Sequence, residues 1–399
     1  FHNMLHQLPL KPANILIPAK EPEYFSTIAC DQFTSEPAYW ENVSQITEGK
    51  ASAFHITLPE IYLESNNDKR ILDINKKMNE YLENKVFIEY KDSMVYVERT
   101  LSNGKIRRGI IGAIDLEAYD YSPNARTAVR ATEETVPERI PPRVKIRRDA
   151  PLELPHVMLL IDDPEKTVIE PLTGHCLETI YDFDLMTGAG HLKGKLISKS
   201  TQEQVLHSIS RLGDSKNPML FAVGDGNHSL ATAAECYRQN PTKLNRYALV
   251  EIVNIHDCTL CFEPIYRVLF NADARNVALC AKRHFDRYVR SGSCTSKLDI
   301  ISKNLNTEIC CPSFPVEELQ NFINSYIKSQ PQVTVDYIHG EESLRSICQK
   351  ENTVGFLFSG MKKNELFPYI KEHGILPRKS FSMGEALDKR FYMECRKIK

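Results

Sequence analysis

The sequence is short of the features that mark several large classes of protein. Formal charge is only -2 over 399 residues, with 50 Lys and Arg against 52 Asp and Glu. A nucleic-acid surface normally needs a basic excess, and in bulk there is none. Charge is concentrated locally, at Arg139–Arg148. No uninterrupted apolar run is long enough to span a bilayer. The opening FHNMLHQLPL has neither the basic start nor the long apolar centre of a secretory leader. These absences predict a cytoplasmic protein with small-molecule partners, without nucleic acid or membrane. There is no internal repeat and no low-complexity tract. Neither the G-x-x-x-x-G-K-[ST] box nor the dinucleotide G-x-G-x-x-G fingerprint occurs. The single tryptophan, Trp40, reads as core packing.

Cysteines are present but poorly arranged for structural work. There are 11, an odd number at irregular spacing, which suits a reduced compartment and free thiols. Cys258-Thr-Leu-Cys261 stands alone and Cys310-Cys311 is a vicinal pair. Neither has a second half that would complete a tetrahedral zinc site.

What the chain does have is the composition of a folded protein, 42% hydrophobic and 26% charged. Its length can bury one large core or two ordinary ones. The organising stretch is Leu220–Ala234, LFAVGDGNHSLATAA. Leu220–Val223 reads as a short buried strand. Gly224-Asp225-Gly226 breaks it, and Asn227-His228-Ser229 opens a helix rich in small residues. A strand, a glycine turn and a helix start aim free N–H groups and the helix dipole at one spot, which suits an anion. Asp225 cannot hold phosphate, but it could hold a metal ion that does. His228 could donate to a phosphate oxygen or move a proton. The plainer reading is an ordinary strand-to-helix connection with Asp as a cap.

Along the chain, Asn14–Pro18 and Thr27–Cys30 read as strands, and the second delivers Asp31-Gln32-Phe33-Thr34-Ser35 at its end. A charged residue just after a strand is a usual place for chemistry in α/β proteins; Asp31 would otherwise cap the helix that starts near Pro37. Ala53–Leu58 alternates like a strand. Lys69–Glu83 is an amphipathic helix. Met94–Thr100 and Arg107–Ile114 flank Asn103-Gly104, a hairpin signal. The stretch 119–150 is polar and lacks clear periodicity, which predicts a solvated segment or a substrate-covering loop. His156–Asp163 is a strand ending in Asp162-Asp163-Pro164, where adjacent carboxylates suggest turn residues before a metal. His191–Ile197 alternates like an edge strand. From Asn271 onward the pattern is that of a smaller α/β module, with Ser291–Thr307 as its linker or loop. The expected division is 1–270 and 271–399, in a mixed α/β (α+β) fold.

Two features carry a family resemblance. Asp225-Gly226-Asn227-His228 and its small-residue helix resemble the D-G-H-H-R box of proteins with the ParB/sulfiredoxin-like fold. Asn227 replaces the first His of that box and Ser229 its Arg, a departure from a nucleotide triphosphate site, where Arg is the usual clamp. The spelling GDGNHSLATA is more similar to the pyrophosphate-dependent (free) serine kinase family. The likeness extends over nearly the whole chain through ACDQFTS, RGIIGAIDLE, RATEETV, ERIPPR, LELPHVMLLIDDP and LPRKSFSMGEA. RATEET stands where relatives carry an H-E-H-T box, with Glu133 or Glu134 in the acidic place and Thr135 kept. Arg267 matches the Arg of a P-T-H-R sequence.

The resemblance implies a ParB/sulfiredoxin-like core and transfer of a phosphoryl group from diphosphate to free L-serine. Phosphoryl transfer needs an anion cradle, positive charge, an in-line acceptor and often a base. Gly224, Asp225, Gly226, Asn227, His228 and Ser229 form the expected cradle. Arg143, Arg378 and Lys379, with Mg2+, are the expected positive charge, and Asp225 the metal contact. Asp31, or Glu133 or Glu134, would accept the hydroxyl proton; the resemblance favours Asp31. Gln32, Thr34, Thr135 and Arg130 or Arg267 would hold the serine. Alternative expectations are an ATP- or ADP-dependent kinase, and a non-catalytic nucleotide- or phosphate-binding protein of the ParB-like class.

Overall fold

A computed structural model describes residues 8–63 and 66–399. Most of the N-terminal stretch read for a leader, residues 1–7, lies outside them. The fold is mixed α/β, with mixed and antiparallel sheets. It divides into two units. The first takes Phe1–Leu260, Phe367–Ile375 and Gly384–Lys399, and the second takes Cys261–Leu366 and Leu376–Met383.

The first unit is built on a ten-stranded sheet. Its main path runs Glu178–Asp184, His191–Leu196, Val95–Thr100, Ile106–Asp115, Tyr247–Asn254, Met158–Ile161, Phe221–Asp225, Val129–Arg130, Tyr119–Asp120. Tyr247–Asn254 and Met158–Ile161 are parallel, whereas Val95–Thr100 and Ile106–Asp115 form the antiparallel hairpin expected at Asn103-Gly104. Side chains alternate across the pleat. Val95, Val97, Ile111 and Ala113 enter one apolar core, while Met94, Tyr96, Ile110 and Ile114 enter another on the opposite face. Trp40 is buried in the first of these cores, as expected.

Several local expectations differ from the structure. Ala53–Ile56 is a 3-10 turn because the Ser52 side chain accepts from the Phe54 N–H and starts a helix-like bend. Within 119–150 lies a true helix, Ile140–Arg148, with proline at its start, where the missing N–H costs nothing. His191–Leu196 is an interior strand, because Glu178–Asp184 pairs along its outer side. Thr27–Cys30 makes only a bridge, Ile28 to Phe391. The Asp163 carboxylate accepts from the Thr167 and Val168 amides at 2.7 and 2.9 Å, so it closes a turn.

The second unit is a six-stranded sheet in which Ser296–Ile301 pairs with Asn306–Cys311, so the expected loop at 291–307 is largely a hairpin. Cys294 and Cys310 at its open end are joined by a disulfide, with Cα atoms 5.5 Å apart. The reading of free thiols therefore holds for the other nine cysteines only. The stretch Gly384–Lys399 differs from the expected 271–399 module by belonging to the first unit. There Arg396–Lys397 pairs with Leu152–Glu153, and Cys395 bridges to Leu16. Among the described residues, no helix is long and apolar enough to cross a membrane.

Candidate functional site

The strand Phe221–Asp225 passes through Gly226 into the helix Asn227–Gln239. Gly226 has φ +94°, in the left-handed region, and a Cβ there would stand 3.1 Å from the Val157 Cα. Both facts call for glycine. No side chain caps this helix start. Its first-turn amides are therefore the kind of donors that bind anions.

The RATEET stretch lies across the turn. The Thr132 amide donates to Asn227 Oδ1 at 3.2 Å, and Asn227 Nδ2 donates back to Thr132 Oγ1. The Val136 amide donates to His228 Nε2 at 3.1 Å. That acceptor role makes the His228 ring neutral, with its proton on Nδ1. His228 thus pins the loop as well as facing the turn. Thr135 is buried, and its hydroxyl has no hydrogen-bond partner. Glu133 is half-buried and Glu134 exposed, so the two glutamates of the box differ in environment. Ser229 lies in the helix's first turn.

Asp31 comes to the same region by another path. Val157 packs against Gly226, and the residue before it, His156, turns toward Asp31, with Nε2 to Oδ2 3.8 Å. Gln32 Nε2 donates to Asp31 Oδ1 at 3.1 Å. The Trp40 indole donates to the Gln32 and Phe33 carbonyls at 3.2 Å, which fixes the turn that carries Asp31. Thr34 beyond it is exposed. The Glu60 amide donates to the Cys30 carbonyl, and the Glu60 carboxylate pairs with Arg143. Arg143 therefore sits near Asp31 with its charge already partnered. Burial, then the charge of Asp31, pushes the Cys30 thiol up to about 12, which makes it a poor nucleophile.

Three residues that the sequence reading missed complete this region, and two come from the C-terminal stretch. Lys389 Nζ is 3.6 Å from Asp225 Oδ2. The Tyr392 hydroxyl lies 3.0 Å from His156 Nδ1 and accepts from the Cys30 amide. His156 is the third. The backbone that carries Lys389 is clamped from below. Arg99 donates to the carbonyls of Leu387, Lys389 and Ala189, and Arg107 to that of Asp388. Burial, then the charge of Arg107, pushes the Arg99 guanidinium down to about 9. Arg390 donates to Glu394 at 2.5 Å and faces Glu251, all three buried.

Of the other expected residues, Arg267, Arg378 and Lys379 belong to the second unit and Arg130 to the first. Arg267 is fully buried in the second unit, where it donates to the carbonyls of Ile265, Arg378 and Lys379 and to Gln320. A guanidinium so engaged serves the fold, which corrects the expectation of a carboxylate clamp. Arg378 and Lys379 belong to that unit too. Arg130 is buried and donates to the Thr127 carbonyl and Asn217 Oδ1. Among the described residues, no group of three or more His, Cys, Asp or Glu side chains could hold a metal ion. Asp225 offers one carboxylate, which suits Mg2+ only in company with phosphate oxygens.

Comparison with solved structures finds distant likenesses. A free serine kinase variant in complex with ADP aligns at TM-score 0.40 and 10% identity, over 72% of this chain and 91% of that one. A conserved hypothetical protein from Pyrococcus furiosus aligns at 0.36 and 10%, over 72% and 94%. SbnI with a C-terminal truncation, from Staphylococcus aureus, aligns at 0.33 and 7%, over 69% and 82%. No curated protein matches by sequence. A family model matches residues 10–371, and the chain belongs to that family, described as protein of unknown function DUF1015.

Proposed function

We propose that this protein is a phosphotransferase that moves a phosphoryl group from diphosphate to the hydroxyl of free L-serine, giving O-phospho-L-serine and orthophosphate. The observation that carries the reading is a juxtaposition. An uncapped helix start behind Asp225-Gly226 is linked to Asp31 through two consecutive residues, Val157 against Gly226 and His156 toward Asp31. An anion cradle and a carboxylate base are the two parts that phosphoryl transfer to an alcohol needs most. The choice of diphosphate and serine follows the family resemblance of the box GDGNHSLATA.

In this reading the first-turn amides of Asn227–Gln239 and Lys389 hold the donor. Asp225, together with phosphate oxygens, would hold Mg2+, which would supply charge neutralisation. Asp31 takes the serine hydroxyl proton as the new P–O bond forms. The bridging P–O bond of diphosphate breaks, and orthophosphate leaves. Glu133 is the half-buried alternative to Asp31 as base. Thr132 and Asn227 keep the RATEET loop over the reacting groups.

Phosphorus NMR of the protein with Mg2+, diphosphate and L-serine tests this. A phosphomonoester signal that depends on both substrates is the expected result, lost in Asp31→Asn. A signal only with ATP or ADP discards the donor. No product with any donor, across a panel of hydroxyl acceptors, discards the enzyme and leaves a phosphate-binding protein.

A further inference from the structure

The C-terminal stretch contributes a buried tyrosine that the roles above do not use. Tyr392 is 2% exposed, and its hydroxyl meets two partners. The Cys30 amide donates to its oxygen at 3.1 Å. The phenolic proton is then available to an acceptor, and His156 Nδ1 lies 3.0 Å away. The Cys30 thiol is the other group beside that hydroxyl. It is a weak acceptor, so the imidazole nitrogen takes the proton bond. A His156 that accepts at Nδ1 carries its own proton on Nε2 when neutral. Nε2 is the atom that faces Asp31 Oδ2 at 3.8 Å. That separation is too long for a hydrogen bond, and catalytic contacts of this kind tighten when substrate fills an active site.

We propose that Tyr392 and His156 are positioning residues for Asp31: Tyr392 fixes the His156 tautomer so that an Nε2–H faces the Asp31 carboxylate and orients it toward the acceptor hydroxyl. For Asp31 as a base this rests on the phosphotransferase reading; the hydrogen bond between Tyr392 and His156 does not. Asp31 itself is partly open, with 29% of its side chain exposed against 12% for His156. The exposed end of the chain is therefore the carboxylate, as a base that must meet substrate requires. No atom is consumed. The proton that Asp31 accepts from the hydroxyl returns to solvent or to the departing phosphate, while the hydrogen bond between Tyr392 and His156 persists. Other ionisable groups at this place are Cys30, held protonated by burial, and Glu60 and Arg143, which neutralise each other. Among the groups that reach Asp31, His156 is thus the one whose protonation state is set by a buried hydroxyl.

The test begins with the protein labelled with 15N-histidine, using long-range proton–nitrogen correlation at neutral pH. The His156 signals are identified by their loss in His156→Gln. The expected wild-type pattern is the Nε2–H tautomer, with Nδ1–H gaining population in Tyr392→Phe. A wild-type His156 protonated at Nδ1, or a pattern unchanged by Tyr392→Phe, overturns the proposal whether or not the protein turns over. Kinetics form the second arm. Tyr392→Phe should lower kcat roughly tenfold, a part of the about 10²–10⁴ that positioned proton transfer contributes, at unchanged KM for diphosphate. The acid limb of the kcat profile should move to higher pH, because the Asp31 anion loses its oriented donor. His156→Gln, which keeps an N–H, should retain more activity than His156→Ala. Equal losses in the two, with the acid limb unmoved, overturn the positioning role. A wild type inactive with every donor but showing the expected tautomer discards the phosphotransferase reading and leaves the tautomer control by Tyr392 standing.

Discussion

Gly226→Ala isolates what the turn at the head of Asn227–Gln239 requires. The new methyl meets two separate costs. The backbone is held at φ +94°, and an L residue in the left-handed region costs about 1–2 kcal/mol. The methyl would also lie 3.1 Å from both the Cα and Cγ2 of Val157. Relieving that contact means moving backbone, and overpacking of this kind costs about 1–3 kcal/mol. Gly104→Ala is the matched control in the same unit, at φ +85° with nothing within 4 Å of the added methyl. The difference between the two variants should therefore be about 1–3 kcal/mol, the contact alone. Urea unfolding followed by fluorescence suits the measurement, since Trp40 is the single tryptophan and is buried in the first unit. Gly226→Ala should also weaken diphosphate binding, because relief pushes Val157 away from the turn, while Gly104→Ala should bind as wild type. Equal destabilisation by the two substitutions would show that the close approach to Val157 contributes nothing, and the reasoning fails.

Three other outcomes are expected. Lys389→Met should weaken diphosphate binding by about tenfold or more, the worth of one charge-assisted bond, with Lys389→Arg intermediate; calorimetric titration reads it. Burial works to raise the Glu153 carboxyl, but Arg396 and Arg147 outweigh it and hold it below its ordinary range. A depressed carboxyl stabilises the fold above its unfolded pKa and loses that contribution as pH falls through the folded value, so the acid decline of the urea midpoint should flatten in Glu153→Gln. Arg267→Met leaves three carbonyls without this donor, and the buried one, that of Ile265, costs about 1–3 kcal/mol. Hydrogen exchange should then rise at Phe262–Phe270 and Thr334–His339, with Trp40 fluorescence unchanged.

The parts of the candidate site that were legible are those written in consecutive residues. Gly224-Asp225-Gly226 announced a break between strand and helix; the strand runs on through Asp225 with a register shift at Gly224, and the break falls at Gly226. Asn103-Gly104 likewise announced its hairpin. Lys389, Tyr392 and His156 carry no comparable local signal. A lysine 164 positions from Asp225, or a tyrosine 236 from His156, acquires meaning only through tertiary pairing. The helix Ile140–Arg148 was hidden by a different cause. Its buried residues are only Ile140 and Val144, which pack with Ala231 and Cys236, so the periodic signal is two residues deep. His191–Leu196 has the alternation of an edge strand because its two faces differ, and alternation says nothing of what lies beside a strand. Arg267 was misread because matching a motif gives residue type without showing where five N–H donors point.

The return of Gly384–Lys399 to the first unit has a consequence for synthesis. A ribosome delivers Phe221–Asp225 and Asn227–Gln239 early, and then must produce Cys261–Leu366 and Leu376–Met383 before the partners of Asp225 and His156 emerge. Until then Arg99 has the Ala189 carbonyl but not those of Leu387 and Lys389, and Arg107 lacks that of Asp388. The second unit can close on its own residues in that interval. Maturation of the candidate site is thereby timed by a segment made after the second unit, and a chain stalled or released before it would hold the phosphate turn without Lys389.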